Sequence, residues 1–329
     1  MFKNRSTTGL QGKKEDSVEE LRNEFTWSKS RDSSFRQCRR AYYLNHYGSW
    51  GGWRDDAPDD IRELYIMKNL GNRASWIGII VHDAAERAVK SIRDGRKWPL
   101  EAALEEVRGR LEAEIEISSR GGYRANQTVP WGERRIRVKG LQEHYYNMAI
   151  PDEAWRQDIE RALFCIRNLY RSSPFRRLES LEPDAFLTVE DLKSFPVRGI
   201  NVWVKLDLAV KGKDDKVVIL DWKTGASHYQ KDIELQLGIY GLFGSRQWEV
   251  EPDKIVGFDV NLRDLNTRKH EINTETLSNV EAYIEKSADD MRALLDDPEE
   301  NIADIERFEM STNPRTCARC RFRRACGRE

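Results

Sequence analysis

Asp207 and the triplet Asp221-Trp222-Lys223 are the residue types that metal-assisted hydrolysis uses: two acids to hold a hard cation, and a lysine beside them. Residues 217–222 are rich in branched and aromatic side chains and read as a strand. Asp221 and Lys223 then project to one face and Trp222 to the other. The turn-like segment Lys211-Gly212-Lys213-Asp214-Asp215-Lys216 has its midpoint at Asp214, equidistant from Asp207 and Asp221. A hairpin in simple register therefore faces the two carboxylates across the ladder, with Cβ atoms about 5 Å apart. Like charges that close need a cation between them. A magnesium-type ion takes one or two such carboxylates and completes its shell with water and substrate phosphate. It would lower the pKa of a bound water, while Lys223 orients the nucleophile or offsets transition-state charge. Taken alone, the spacing also suits the charged solvent face of an amphipathic hairpin.

Three further features accompany these residues. His82 lies in Gly78-Ile79-Ile80-Val81-His82-Asp83, on a helical pattern that is otherwise largely apolar. It suits a metal ligand or a satisfied core histidine. Gln236 and Tyr240 sit four apart on a helical segment and share a face, so they would offer a hydrogen-bonding pair to a nucleic-acid strand or form ordinary helix surface with a core tyrosine. Cys317, Cys320 and Cys326 form a C-x2-C-x5-C run, and a fourth thiol, Cys38, comes from about 280 residues upstream. Four thiolates suit a 4Fe-4S cluster or a tetrahedral zinc equally. Cys165, in the apolar stretch Ala162-Leu163-Phe164-Cys165-Ile166, reads as core.

The elements that must position these groups follow from pattern. Residues 1–24 are polar and charged without periodicity and read as a mobile tail. Residues 25–52 supply the first cysteine from a short helix expected over 30–47, with Thr26-Trp27-Ser28-Lys29-Ser30 offering N-cap residues. Residues 53–180 read as a helical insertion carrying the histidine, with apolar spacings of three and four over 78–92, 100–117 and 138–170. Residues 181–306 form the core: strands over 185–189, 200–210, 217–222 and 254–261, and helices over 230–243 and 274–295, the last broken by Asp296-Asp297-Pro298. Residues 307–329 hold the cysteine run. No Walker-type phosphate loop is present.

Of the 329 residues, 39% are hydrophobic and 34% charged, and no apolar run is long enough for a membrane span. The first residues lack the apolar stretch of a secretory signal, so a reducing cytoplasm is the expected setting and ligand or core roles are favoured over disulfides. A net charge of -1 does not announce a nucleic-acid binder, but its distribution is uneven. Six arginines follow residue 314, and Lys29, Arg31, Arg36, Arg39 and Arg40 surround Cys38. If the cysteines meet, these two basic runs meet in a patch suited to phosphates.

In their order along the chain, Ser28-x-Ser30, Cys38-Arg39-Arg40-Ala41-Tyr42-Tyr43-Leu44, Gly78-x3-His82, Asp207, Asp221-x-Lys223-Thr224-Gly225, Gln236-x3-Tyr240 and C-x2-C-x5-C resemble the PD-(D/E)XK nucleases of the RecB type. Within them the pattern is most similar to the iron-sulfur branch, which includes the C-terminal nuclease domain of AddB and the exonucleases that accompany CRISPR adaptation. The resemblance runs from about residue 26 to the C-terminus. It implies an α/β restriction-endonuclease-like core, a central mixed sheet flanked by helices, with a large helical insertion and a cluster-binding segment joining the two termini. It further implies that His82, Asp207 and Asp221, with the carbonyl of Trp222, ligate Mg2+ or Mn2+, that Lys223 is the catalytic lysine, and that Gln236 and Tyr240 are the family's Q-x3-Y pair. Cys38, Cys317, Cys320 and Cys326 would hold a 4Fe-4S cluster. The implied activity is a DNA exonuclease acting on single strands or ends in repair, recombination or defence, with a helicase or CRISPR/defence protein as partner; a noncatalytic DNA-binding scaffold subunit is the alternative. Two departures stand out: Lys205 where the family commonly has glycine, and Trp222 where it usually has tyrosine.

Overall fold

The computed structural model describes residues 21–225 and 230–328. The tail expected over 1–24 therefore falls, up to residue 20, outside the described residues. Helix α1 (Lys29–Gln37) is capped by the Ser28 hydroxyl, which accepts from the Arg31 N–H. The single helix expected over 30–47 is interrupted at Cys38. That residue is extended, with φ -164°, and its Sγ caps α2 (Arg39–Tyr43) by accepting from the Ala41 N–H. A π-helical turn, Leu44–Gly48, follows. The interruption turns the thiol away from the helix surface, toward the far end of the chain.

Next come α3 (Asp59–Asn69), α4 (Arg73–Arg93) and α5 (Leu100–Ser119), with α4 opened by a capping box between Asn72 and Ser75. A hairpin of β1 (Thr128–Trp131) and β2 (Arg134–Arg137) follows, then α6 (Gln142–Tyr145), α7 (Asp152–Arg171) and α8 (Ser173–Leu178). The hairpin was not legible in the sequence, because its second strand is mostly exposed arginine and shows no apolar alternation.

The remaining elements are β3 (Phe186–Val189), β4 (Leu192–Val197), β5 (Ile200–Lys205), β6 (Leu208–Lys211), β7 (Val217–Lys223), α9 (Gln230–Trp248), β8 (Ile255–Asn261), β9 (Thr267–Glu271), α10 (Thr274–Arg292) and α11 (Pro314–Ala318). A five-stranded sheet runs in the order β3-β6-β7-β8-β9; β7 and β8 are parallel and the other neighbours antiparallel. The strand expected over 200–210 is two strands in two sheets. β5 pairs with β4, an edge segment whose Pro196 and exposed face hid it from pattern reading, and β6 joins the five-stranded sheet. The chain changes sheets at Leu206-Asp207, and that change is what aims Asp207.

Alternation along β7 divides the core. Leu220 and Trp222 pack with Leu208, Val210 and the apolar faces of α4, α5 and α7. Val217 and Ile219 pack on the opposite face with Ala209, α9 and α10. The sheet is thus flanked by helices on both faces, and Asp221 belongs to the α9 side.

Candidate active site

The β6–β7 hairpin has the register read from its sequence. Leu208 pairs with Leu220, so the next step along the ladder brings Asp207 to Asp221, and the turn closes through Asp214 and Asp215 in left-handed conformation. Asp207 Oδ2 accepts the Trp222 N–H at 2.6 Å. Both acids are buried: 7% of Asp207 and 1% of Asp221 is exposed. The Trp222 ring is buried on the opposite face, as alternation requires.

From α4, His82 places Nδ1 3.3 Å from Asp207 Oδ1 and 3.2 Å from Oε1 of Glu190. Ligand atoms of His82, Glu190 and Asp207 all lie within 4.8 Å of one another, a spacing one cation could span. Asp221 is not part of that tight trio. Its Oδ2 lies 2.5 Å from Lys223 Nζ, and its Oδ1 accepts from Gln236 Nε2 at 3.2 Å. Gln236 is the hub of the remaining contacts: its Oε1 accepts from Lys223 at 2.9 Å, and its Nε2 also donates to the Tyr240 hydroxyl at 2.7 Å. Tyr240 in turn donates to the Lys205 carbonyl at 2.9 Å. The Gln236 and Tyr240 side chains therefore face the acid and lysine, and Tyr240 is buried rather than offered to a strand.

Glu190 is the site residue that sequence reasoning missed. It follows β3 in left-handed conformation, φ 55°, and its N–H bonds to the carbonyls of Leu206 and Asp207, bracing the sheet change that aims Asp207. Lys205, the apparent intruder, pairs with Glu190 Oε2 at 2.6 Å. That pairing was the available signal: a lysine replacing glycine beside buried acids calls for another carboxylate.

The charges are strongly coupled. Burial, and then the nearby Asp207 carboxylate, push the Asp221 carboxyl up to about 7. Burial opposes ionisation of Asp207 too, yet the His82 charge, the Trp222 N–H and Lys223 bring it below its ordinary value. His82 is held well above the usual imidazole range, because Asp207 and Glu190 outweigh the burial that resists its charging. In hydrogen-bonding terms Asp221 Oδ2 is an orphan among the described residues, buried with the Lys223 charge beside it and that of His82 further off. A buried oxygen-rich set whose acids mutually resist ionisation is what a hard divalent cation relieves, so the residues present fit one.

The four cysteines expected to converge do so. Cys38, Cys317, Cys320 and Cys326 line one small cavity, while Cys165 is buried in the core, its thiol pushed up to about 11 by burial. The Cys38 sulfur accepts from the N–H groups of Ala41 and Ser311 at 3.5 and 3.4 Å, Cys320 from Phe322 N–H at 3.3 Å, and Cys317 from Arg328 at 3.3 Å. Burial raises the Cys320 and Cys326 thiols above their ordinary value. N–H donors at Cys38, Cys317 and Cys320 suit sulfurs held as thiolates by a bound metal centre.

The basic runs converge less simply than the sequence suggests. Lys29 and Arg36 are engaged by Asp232, Arg36 also by Asp32, Arg40 by the Phe308 carbonyl, and Arg323 covers the Tyr146 ring. Local partners thus absorb much of the charge.

The PD-(D/E)XK nuclease superfamily model matches residues 26–327, and the chain belongs to that superfamily. Comparison with curated proteins finds no match. One solved structure, titled "Crystal structure of SSO0001", is similar over 56% of this chain and 91% of that chain, at 17% identity and a TM-score of 0.28. No described helix is long and apolar enough to cross a membrane.

Proposed function

We propose that the chain is a metal-dependent deoxyribonuclease, acting as an exonuclease on single-stranded DNA or DNA ends. The observation that carries this reading is the meeting of His82, Glu190 and Asp207 within 4.8 Å, next to an Asp221–Lys223 pair 2.5 Å apart. His82, Asp207, Asp221 and the Trp222 carbonyl would hold Mg2+ or Mn2+, with Glu190 completing the set. When bound, the ion would acidify a water and offset charge on the scissile phosphate. The rest falls to the protein. The Trp222 N–H fixes Asp207, Gln236 holds Asp221 and Lys223 at set separation, and Lys223 supplies a positive charge to the attacking oxygen or the phosphate in the transition state. Lys205 keeps Glu190 from adding an uncompensated charge. Because the acids are buried beneath the surface, a flexible strand or a frayed end reaches them more readily than the interior of a stiff duplex.

The cysteine site, on the same reading, holds a 4Fe-4S cluster. A tetrahedral zinc with Zn–S bonds of about 2.3 Å draws its sulfurs to about 3.8 Å from one another. Four cysteines lining one cavity suit that zinc and a 4Fe-4S cluster alike, and the order of motifs along the chain is what favours the cluster.

The test is cleavage of an end-labelled single-stranded oligonucleotide by the purified protein. Cleavage with magnesium or manganese, little with calcium, and none in excess chelator is expected. Undiminished cleavage in chelator contradicts the reading.

A further inference from the structure

A cleft of about 890 Å3 runs from Lys205, Gln236 and Tyr240 at the catalytic end to Cys38, Cys320 and Arg321 at the cysteine end. In a chain with 56 acidic residues, no carboxylate among the described residues lines it, whereas five cations among them do: Lys29, Arg31, Lys205, Arg319 and Arg321. Lys29 and Lys205 are neutralised by Asp232 and Glu190. Arg31 and Arg321 are not. Among the described residues neither has a carboxylate within 4.0 Å, and the same holds for Lys68 of α3, which does not line the cleft but whose backbone carbonyl accepts from Arg321.

These three cations gather around His46. Arg31 Nε donates to His46 Nδ1 at 3.2 Å, so the ring is neutral and serves as an acceptor. Burial and the charges of Arg31, Lys68 and Arg321 push this imidazole down to about 2. Burial, followed by Arg31 and Arg321, also lowers Lys68. Arg31 Nη1 is spent on the Thr26 carbonyl and hydroxyl, and Arg321 Nη1 on the Lys68 carbonyl at 2.5 Å. Arg31 Nη2, Lys68 Nζ and Arg321 Nε and Nη2 make no hydrogen bond among the described residues. The nearest acid in sequence, Asp32, is turned to the other side of α1, where Arg36, Tyr283 and Ser287 bind it. Three half-buried cations with unspent donors and no counter-ion are costly unless an anion joins them.

We infer that Arg31 and Arg321, which line the cysteine end of the cleft, form a phosphate-binding site reinforced by the charge of the adjacent Lys68, and that this site anchors the nucleic-acid strand while a phosphodiester further along reaches the catalytic acids. This rests on the nuclease reading. Planar guanidinium groups and an ammonium match phosphoryl oxygens, whether from an internal phosphodiester or a 5′-terminal phosphate. Arg321 adjoins Cys320, and Arg31 lies on the helix that ends at Cys38. The site therefore couples the strand to the segment that the cysteines hold together.

The experiment measures binding of a fluorescent single-stranded oligonucleotide in chelator, where nothing is cleaved, for Arg321→Gln, Lys68→Gln and the exposed control Lys213→Ala. Visible absorption and melting temperature establish that each variant keeps its cluster and fold. Either Gln variant is expected to bind about tenfold more weakly, with a log-log salt slope shallower by about 0.7 per lost phosphate contact, while Lys213→Ala binds like the wild type. Lys68→Arg and Arg321→Lys should recover part of the loss. Oligonucleotides with and without a 5′-phosphate separate the two sources: equal affinity places an internal phosphate in the site, and a preference that Lys68→Gln abolishes places the terminal one there. Should Arg321→Gln fold poorly, Lys68→Gln decides. Wild-type affinity and salt slope in the folded variants would overturn the site whatever the cleavage result. Normal binding losses in a protein that never cleaves would spare the site and remove the nuclease reading instead.

Discussion

The carboxylate site and the cysteine site each gather residues from distant parts of the chain, but they are supported differently. Asp221 and His82 stand on β7 and α4, and Asp207 immediately precedes β6, elements whose apolar sides are sealed into the two cores that flank the sheet. Their geometry is set by sheet register and by buried residues such as Trp222, so it exists before any ion binds. The cysteines instead stand on turns, at the N-cap of α2 and in α11, two five-residue helices. Beyond Phe308, Phe322 is the one buried hydrophobic side chain among the described residues. The terminal segments are joined by bonds from Arg40 to the Phe308 and Glu309 carbonyls and from the Ser311 N–H to Cys38 Sγ, and by Tyr42, Tyr43 and Tyr47 against the Phe308 ring. On the proposed reading, an ion at the first site would serve chemistry, whereas a centre held by the cysteines would serve folding as well.

The largest effect expected from this contrast is on catalysis. Lys223→Ala should lower cleavage by about 10^3-fold while costing far less stability than a core cavity, because Asp221, already raised to about 7, can take up a proton when its lysine is lost. Trp222→Ala, one residue away but on the opposite face, should do the reverse to stability, costing about 3–5 kcal/mol through a cavity in the core. Equal melting temperatures for these two variants would break the two-face account of β7.

Next in size is the cysteine site. Cys38→Ala, Cys317→Ala, Cys320→Ala and Cys326→Ala should each bleach the brown colour of anaerobically purified protein and release the terminal segments to protease, whereas Cys165→Ala keeps both colour and protection. Stoichiometric zinc without iron or sulfide would remove the cluster and leave the staple. Identical behaviour of Cys38 and Cys165 variants would remove both.

A smaller effect concerns pH. Asp221, ordinarily near 3.8 and raised to about 7, must ionise to bind an ion, so cleavage should fall as pH drops below 7. Stability without divalent ions should move the opposite way. A carboxyl whose folded value is raised stabilises the fold below its unfolded value and loses that contribution as pH rises toward 7. The raised His82 contributes in the same direction, because its stabilisation is present below 6.5 and lost as pH climbs through its folded value. Melting in chelator should therefore decline between pH 5 and about 8, and magnesium should restore it. A melting curve that rises over this range would contradict the coupling.

How much of this was legible in the sequence depends on how local the determinants are. Hairpin register followed from the central Asp214, and the two faces of β7 from simple alternation, both being properties of adjacent residues. Glu190 was illegible because its left-handed backbone and its bracing of Leu206 and Asp207 depend on a change of sheet that continuous β-propensity over 200–210 conceals. The arginine-rich β2 and the Pro196-containing β4 escaped for a related reason, since exposed edge strands need no apolar pattern. The basic patch was overstated because charge runs do not reveal which guanidinium groups are already bound, as Arg36 is to Asp32 and Arg40 to Phe308.

The most direct test of the central claim is single-turnover cleavage by Asp221→Ala protein, measured beside its melting temperature and visible spectrum. The account predicts no metal-dependent cleavage from a folded protein that retains the wild-type spectrum, since removing this acid also removes its repulsion with Asp207. Cleavage at the wild-type rate by the folded variant would contradict it.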